Sequence, residues 1–235
     1  MARVSIVDYI NRAAREAKLA RAIARLGARQ RRELYKIMGN PPRLENIPAE
    51  YWGEKSDEWR AMLTPELEDI FIDSAHEMLK DPELGGLAIG EDEINERARD
   101  WAVPYTLALA TLIMQHRRRA IENALNDFEE SQQTPDDKKQ LERRITRWYG
   151  PVAAEAISIT EVTTAHGAGE SGVIAGLALL GVLTEEVWQT QEDERVCKIC
   201  GPRHDKPRGV NWTSPPPAHP RCRCYRKYRF RNAND

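Results

Sequence analysis

The strongest constraint on the fold of this 235-residue chain is the placement of its cysteines. All four lie between Cys197 and Cys224, as one Cys-x-x-Cys pair and one Cys-x-Cys pair. The two sulfurs of a Cys-x-x-Cys turn can both reach one tetrahedral metal ion. Residues two apart in an extended strand point the same way, so the second pair can face the same ion. The pattern therefore predicts a metal-binding module near the C-terminal end.

Five side chains compete for the four positions around such an ion, because a histidine stands three residues before the third cysteine. The candidate ligands are Cys197, Cys200, His219, Cys222 and Cys224. The first three cysteines are favoured, and the fourth position stays open between the histidine and the last cysteine. Zn²⁺ suits this soft, redox-inert coordination. Two disulfides or four unlinked thiols are the alternatives, and disulfides would require an oxidising compartment.

Charge is distributed unevenly along the chain. Residues 1–40 carry ten Lys/Arg against three acids, a balance of +7, and residues 195–235 carry eleven against two, a balance of +9. Since the net charge is −2, the middle carries −18. We therefore expect a basic N-terminal helical arm (1–40), an acidic helical body (41–185) and a Cys/His module with a basic tail (186–235). Such asymmetry indicates that at least one basic end meets a polyanion.

Apolar residues recur at helical spacing over most of the chain before the cysteines. The predicted helices cover residues 5–38, 64–80, 91–130, 134–149 and 152–181. Thr64 and Thr134 are the predicted N-caps of two of them, because each precedes a proline. The predicted fold is mostly α: an elongated helical body with a small C-terminal zinc-binding module that contains short β-strands. The apolar runs are too short to span a membrane.

A glycine-rich stretch, residues 167–172, matches the G-x-G-x-x-G fingerprint of dinucleotide-binding folds. Such folds need several parallel strands. Alternating apolar residues are nearly absent before Val187, so the strands are missing. We interpret these glycines as positions where two helices pack closely or a helix breaks.

A set of motifs surrounds the cysteines in a fixed order. A helical Thr-Glu pair, Thr160 and Glu161, is followed by Trp188, by an acid-rich turn with Asp193 and by the Cys-x-x-Cys pair. The sequence His-Pro-x-Cys-Arg-Cys over residues 219–224 closes the pattern. Over residues 145–224 the chain resembles the phage Mu F-like minor head proteins, also called the phage head morphogenesis family.

The resemblance implies a structural protein of the phage head without catalytic activity or a small-molecule substrate. Such a protein takes part in capsid assembly in the host cytoplasm and resides in the virion near the portal vertex. Its implied partners are the portal protein, the major capsid protein or both, together with the packaged DNA. The resemblance also implies structural roles for Glu161 and Trp188, and we expect the glutamate to pair with Arg195 or Arg223.

The basic tail is the predicted contact with DNA. Cationic side chains neutralise phosphates and release counterions, so we expect weak binding of duplex DNA without sequence preference. A solvated tail that touches nothing is the alternative. The predicted DNA-binding residues are Arg221, Arg223, Arg226, Lys227, Arg229 and Arg231.

A metal-dependent nuclease is the competing function. In this hypothesis His204, Asp205 and His219 would surround the cysteine pair. Hydrolysis requires a water-bearing ion or a histidine base with acidic partners. The tail offers only Asp205 before Asp235, so the sequence favours a structural role for the cluster.

Overall fold

The computed structural model describes residues 11–81, 84 and 89–232. Five α-helices and two β-strands lie within these residues: α1 (Arg12–Met38), α2 (Tyr51–Leu79), α3 (Glu91–Glu130), α4 (Pro135–Tyr149), α5 (Pro151–Leu179), β1 (Val182–Gln189) and β2 (Tyr225–Asn232). The prediction of a mostly helical protein with short strands beside a C-terminal Cys/His cluster is confirmed. Residues 5–10 of the first predicted helix lie outside the described part of the chain.

The prediction that a helix begins at Thr64 is wrong. Helix α2 continues through this position and contains Pro65 in its interior. Leu63 and Leu67 are fully buried on either side, so core packing continues across the local start signal. The Thr64 hydroxyl donates to the carbonyl of Arg60, four residues earlier, at 2.9 Å instead of capping a new helix.

The same signal at Thr134 does begin a helix. The Thr134 hydroxyl accepts a hydrogen bond from the backbone N–H of Asp137, and the Asp137 carboxylate accepts one from the backbone N–H of Thr134. This reciprocal capping box, with Pro135 in the first turn, fixes the start of α4. The bonds from Thr134 lower the pKa of Asp137.

Contacts divide the chain into two compact units. Among the described residues, the module unit comprises those within 11–16, 66–102 and 156–232, and the helical unit comprises residues 17–65 and 103–155. The unit boundaries fall inside α1, α2, α3 and α5. These boundaries differ from those of the three segments that the charge distribution predicts. The division into a basic arm, an acidic body and a Cys/His module therefore stays a prediction.

The helical unit has an apolar core supplied by α1, α2, α3, α4 and the residues that connect them. Its buried members are Leu34, Met38, Tyr51, Trp52, Ile121, Ala124, Leu125, Phe128, Leu141, Ile145 and Tyr149. Arg117 of α3 is also buried in this unit.

In the module unit the two strands form an antiparallel pair, from Val182 opposite Asn232 to Gln189 opposite Tyr225. The first strand therefore begins five residues before Val187, where the sequence first suggests one. A core cluster joins these strands to α2, α3 and α5. Its buried members are Ala75, Met78, Leu84, Ile94, Val173, Leu177, Val182 and Tyr228.

The glycine-rich stretch lies inside α5 and packs against α2. A Cβ on Gly169 would stand 2.3 Å from the carbonyl oxygen of Phe71, and one on Gly172 would stand 2.8 Å from the Phe71 ring. The backbone oxygen cannot move aside, so only glycine at position 169 allows this approach, whereas a side chain at position 172 would require the Phe71 ring to shift. The interpretation of these glycines as helix-packing positions agrees with the structure.

Candidate metal centre

The five predicted ligand residues converge at one place. Nε2 of His219 lies 3.0 Å from Sγ of Cys197 and 3.3 Å from Sγ of Cys200, and the Sγ atoms of Cys200 and Cys222 are 3.8 Å apart. Two triads share Cys200: one with Cys197 and His219, the other with Cys222 and Cys224. Within each triad the ligand atoms all lie within 4.8 Å of one another, so both can hold a metal ion. All four cysteines are free thiols and not disulfides.

A tight turn positions the first cysteine pair. The backbone N–H groups of Cys200 and Gly201 both donate to the carbonyl of Cys197, at 3.2 and 3.0 Å. A short 3₁₀ helix, Gly201–Arg203, follows at once. The turn brings both thiols to the same side of the backbone, as the Cys-x-x-Cys spacing predicts.

The imidazole of His219 is oriented by its own neighbour. Nδ1 lies 2.8 Å from the carbonyl oxygen of Pro220, so Nδ1 carries the proton and donates. Nε2 is then the lone-pair atom, and it faces the thiols of Cys197 and Cys200. A backbone carbonyl that fixes the tautomer in this way is the usual support of a histidine ligand.

The thiols differ in acidity. The Cys224 thiol donates a hydrogen bond to the Cys222 sulfur, which lowers the pKa of Cys222 to about 5 although burial opposes it. The same bond raises the pKa of Cys224. Burial raises the pKa of Cys200 to about 12. Within this triad Cys222 is therefore the most acidic thiol.

Helix α5 holds the loop that carries Cys222. The Thr160 hydroxyl accepts from the backbone N–H of Arg221 at 2.9 Å, and the Thr163 hydroxyl donates to the carbonyl of Cys222 at 2.9 Å. The guanidinium of Arg12 donates to the Arg223 carbonyl at 2.7 Å and to the Thr163 hydroxyl at 2.5 Å. Sequence reasoning missed Arg12 and Thr163, because nothing local distinguishes that arginine from the others of α1.

Glu161 is 5% exposed, so it is not the solvated glutamate that a helical surface usually carries. Its two predicted partners both engage Asp193. Arg223 donates to that carboxylate at 2.6 and 2.7 Å, and Nε of Arg195 lies 3.9 Å from it. The bond from Arg223 is the largest cause that lowers the pKa of Asp193. The pairing of Glu161 with either arginine stays a prediction.

Trp188 is fully buried and forms a small core with the cysteines. Its ring meets Trp212 edge to face at 5.3 Å, and the guanidinium of Arg203 lies 5.0 Å from its centre. The Trp212 indole donates to the carbonyl of Lys206 at 2.8 Å. The sequence analysis did not select Trp212, although a tryptophan in a polar, proline-rich loop of so small a module is a signal for a core residue.

Arg226 is a correction to the predicted DNA contact. Its side chain is 2% exposed and donates to Glu170 at 3.1 Å and to Glu186 at 3.0 Å. Tyr228, two residues on and therefore on the same face of β2, donates to Glu170 at 2.7 Å. Burial by itself lowers the pKa of Arg226, but the neighbouring Tyr228, Glu170 and Glu186 raise it by a larger amount. The pKa therefore lies above its ordinary value, and the guanidinium stays charged.

The other predicted DNA contacts are placed differently. Arg229 is ion-paired with Glu185 at 2.9 Å. Arg223 is bound to Asp193, Lys227 is half-buried and Arg221 is exposed. The side chain of Arg231 lies outside the described part of the chain. The basic tail is thus largely a strand of the sheet, and removing residues 225–235 would remove β2 as well as charge.

Two carboxylates lie close to the imidazole of His204. Its Nε2 lies 2.9 Å from Glu192 and 3.2 Å from Asp205, and its Nδ1 accepts from the backbone N–H of Thr190 at 3.3 Å. Sequence reasoning selected Asp205 for this neighbourhood but missed Glu192. Because Nδ1 is an acceptor, Nε2 carries the proton that faces the carboxylates.

The cysteine cluster brings together more ligand side chains than any other group found in the described residues. None of the helices in that part of the chain is long and apolar enough to cross a bilayer. Function has to be inferred from the cluster and from the motifs around it. Comparisons of the chain with models of protein families, with curated proteins and with solved structures find no match.

Proposed function

We propose that the cluster is a structural zinc site. Thiolates and a neutral imidazole are the ligands that Zn²⁺ prefers. With Zn–S bonds of about 2.3 Å, two sulfurs on a tetrahedral ion stand about 3.8 Å apart. The Cys200 and Cys222 sulfurs have that separation. Four protein ligands close the coordination shell and leave no position for a substrate, so the ion stabilises the fold and does not catalyse.

The ligands in this proposal are Cys197, Cys200, His219 and Cys222. His219 contacts both sulfurs of the first pair, and Cys222 stands at the tetrahedral distance from Cys200. Cys224 is the alternative fourth ligand, because its sulfur lies within 4.8 Å of the Cys200 and Cys222 sulfurs. Cys224 also lines a separate small cavity beside His166, Glu170 and Arg226. It therefore lies between the cysteine cluster and this cavity.

Zinc analysis of two matched variants tests this ligand set. Cys222→Ser removes a ligand and should lower bound zinc far below one equivalent per chain. Cys224→Ser keeps a hydrogen-bond donor at the same position and should retain about one equivalent. If Cys224→Ser loses the ion and His219→Asn keeps it, the fourth ligand is the last cysteine. Wild-type protein without zinc after purification under reducing conditions would refute the site.

We further propose that the chain is a minor head protein of a phage, a structural virion component associated with the portal or capsid and with packaged DNA. One observation supports this most. The residues that carry the resemblance make contacts at a single place: Thr160 binds the loop of Arg221, Trp188 packs on the cysteines, and Asp193 binds Arg223. Motifs separated by some sixty residues therefore act as one structural element, as expected if the whole pattern belongs to one family.

Particles of the parent phage test this proposal. Mass spectrometry of gradient-purified particles should detect the chain in few copies, and cryo-electron microscopy should place it near the portal vertex. Co-expression with the portal or major capsid protein should yield a complex. Absence from mature particles, from assembly intermediates and from both complexes would refute the proposed role.

DNA contact is tested by point substitutions at Arg221, which is exposed, and at Lys227, which is half-buried, because deletion of the tail would disrupt the sheet. Arg221→Ala with Lys227→Ala should weaken duplex binding at low salt by roughly tenfold, since each lost phosphate contact reduces the salt slope by about one. Arg143→Ala with Arg147→Ala, on an exposed face of α4, is the matched control. Equal losses in the two variants would indicate nonspecific charge attraction.

The nuclease is kept as a second candidate because of the carboxylates at His204. Its Nε2 already holds a proton, which suits a structural donor better than a general base. The assay is plasmid cleavage with Mg²⁺, Mn²⁺ or Zn²⁺ by wild-type protein and by His204→Asn. Cleavage that His204→Asn abolishes while zinc content is unchanged would favour the enzyme over the structural protein.

A further inference from the structure

Helix α1 presents a continuous stripe of cations within the helical unit. Its exposed members are Lys18, Arg21, Arg25, Arg29, Arg32 and Lys36. Their spacing of three or four residues places them on one face of the helix, over a length of about 27 Å. Glu33 is the only acid among residues 17–38, and its carboxylate binds Lys55. The stripe thus carries no compensating charge of its own.

An open groove runs between this stripe and α2. It holds about 810 Å³. Its apolar lining residues are Ala22, Leu26, Ala28, Ala61 and Met62, and its charged ones are Arg25, Arg29, Arg32 and Glu58. Glu58 is the only acid among the lining residues, and it is engaged by Arg29 at 2.9 Å and Lys55 at 2.8 Å. The groove therefore has an apolar floor of three alanines, Leu26 and Met62, and a rim that is positive along one side.

We propose that this groove binds an acidic amphipathic helix of a partner protein. Such a helix would lay its apolar face on the alanines and Met62 and would set carboxylates, repeating every three or four residues, against Arg25 and Arg32. A DNA duplex would contact only the cationic stripe and would leave the apolar floor unmatched. The lining thus favours a peptide over a nucleic acid. The proposal names only the chemistry of the partner and holds whether or not the chain is a phage head protein.

Three fluorescently labelled synthetic peptides and one duplex test the proposal by anisotropy with the full chain. The first is a 20-residue helix with leucines along one face and glutamates on both flanks. The second has every glutamate replaced by glutamine, and the third has every leucine replaced by alanine. The fourth probe is a 20-base-pair DNA duplex. The first peptide should bind at least tenfold more tightly than the second and the third.

Matched variants locate the binding. Arg25→Glu with Arg32→Glu should weaken the first peptide by roughly tenfold or more, because it replaces attraction with repulsion at the rim. Ala61→Gln fills the floor with a polar side chain at an exposed helical position, and it should weaken the peptide but not the duplex. Arg143→Glu with Arg147→Glu reverses the same charge on α4 and should leave the peptide bound.

Three results would overturn the proposal. The first is no binding of the acidic amphipathic peptide at low salt. The second is a duplex that binds more tightly than the peptide and depends on Arg25 and Arg32, which would make the stripe a phosphate-binding surface. The third is an equal loss from the α1 and α4 reversals, which would show attraction to net charge alone.

Discussion

Each unit buries an arginine, and the two do so in opposite ways. In the helical unit the guanidinium of Arg117 lies over the rings of Trp59 and Tyr149, 4.6 and 4.3 Å from their centres. It also donates a hydrogen bond to the side-chain oxygen of Gln30 at 3.3 Å. Burial lowers its pKa to about 10. In the module unit Arg226 is held by Glu170 and Glu186, and its pKa is raised. One guanidinium is held mainly by aromatic faces and the other by carboxylates.

The comparison shows what a basic residue in a sequence leaves undetermined. The sequence predicts Arg226 as a contact for DNA, and nothing local distinguishes Arg117 from the two arginines that follow it, yet both Arg117 and Arg226 are 2% exposed. Their environments come from partners far along the chain: Trp59 and Tyr149 for one, Glu170 for the other. Net charge predicts long-range attraction, but it does not identify which cations are exposed to provide it.

The largest expected effect comes from disrupting the cysteine cluster, because the fold of the module unit should depend on this cluster and the fold of the helical unit should not. Cys197→Ser removes a ligand of the proposed zinc site and should disorder the region of the two strands, because metal binding supplies on the order of 10 kcal/mol in small zinc modules. The core of the helical unit contains no cysteine and should persist. Zinc content and Trp188 fluorescence should fall while far-ultraviolet circular dichroism keeps most of its helical signal. Complete loss of that signal would show that the units fold as one.

The next largest effect is expected at Arg226. Arg226→Met leaves Glu170 and Glu186 without their shared cation, and breaking a buried ion pair in this way costs about 3–5 kcal/mol. Urea unfolding measures the change. The double variant with Glu170→Gln should recover part of the loss, because it removes the buried charge left without a cation, whereas Glu186 still pairs with Arg208 at 2.8 Å. A cost below about 1 kcal/mol would mean that the glutamates become hydrated or protonated at little cost.

Arg117→Met should change stability much less, by at most about 2 kcal/mol in either direction, because its side-chain hydrogen bond within the described residues goes to the amide of Gln30 and not to a carboxylate. The substitution gives up two cation–π contacts but also removes a buried charge. Since the folded pKa lies below that of free arginine, the charged side chain disfavours folding at neutral pH. That penalty is relieved only as pH rises through about 10 toward the unfolded value, and the variant should lack this dependence. A loss as large as that of Arg226→Met would contradict the comparison.

The smallest effect is expected where α5 meets the cysteine loop. Thr163→Val removes the hydroxyl that bonds the Cys222 carbonyl and should cost about 1 kcal/mol while accelerating zinc release to a chelator. Thr164→Val is the matched control, because that hydroxyl bonds only the Thr160 carbonyl within the helix, at 2.9 Å, in the contacts described. Equal zinc release from the two variants would show that the loop does not depend on α5.

Features set by local sequence could be predicted here, and those set by distant partners could not. The two cysteine pairs follow from the spacing of residues two or three positions apart, and the start of α4 follows from Thr134, Pro135 and Asp137. Thr64 and Pro65 form a similar local start signal, but α2 continues past them because the leucines on both sides are buried in the core. The roles of Arg12 and Arg226 were missed because their partners stand 151 to 211 and 40 to 59 residues away in sequence.

The hydrogen bond from Arg12 to the Arg223 carbonyl has a consequence for synthesis on the ribosome. Every residue of the helical unit has been translated once residue 155 is made. Strand β1 can pair only after β2, which ends at Asn232, has also been translated. During that interval Arg12 has no acceptor at the cysteine loop, and the first two cysteines emerge before His219 and Cys222. The nascent chain therefore exposes the thiols of its first two cysteines until His219 and Cys222 have also been made, and a reducing compartment protects those thiols during that interval.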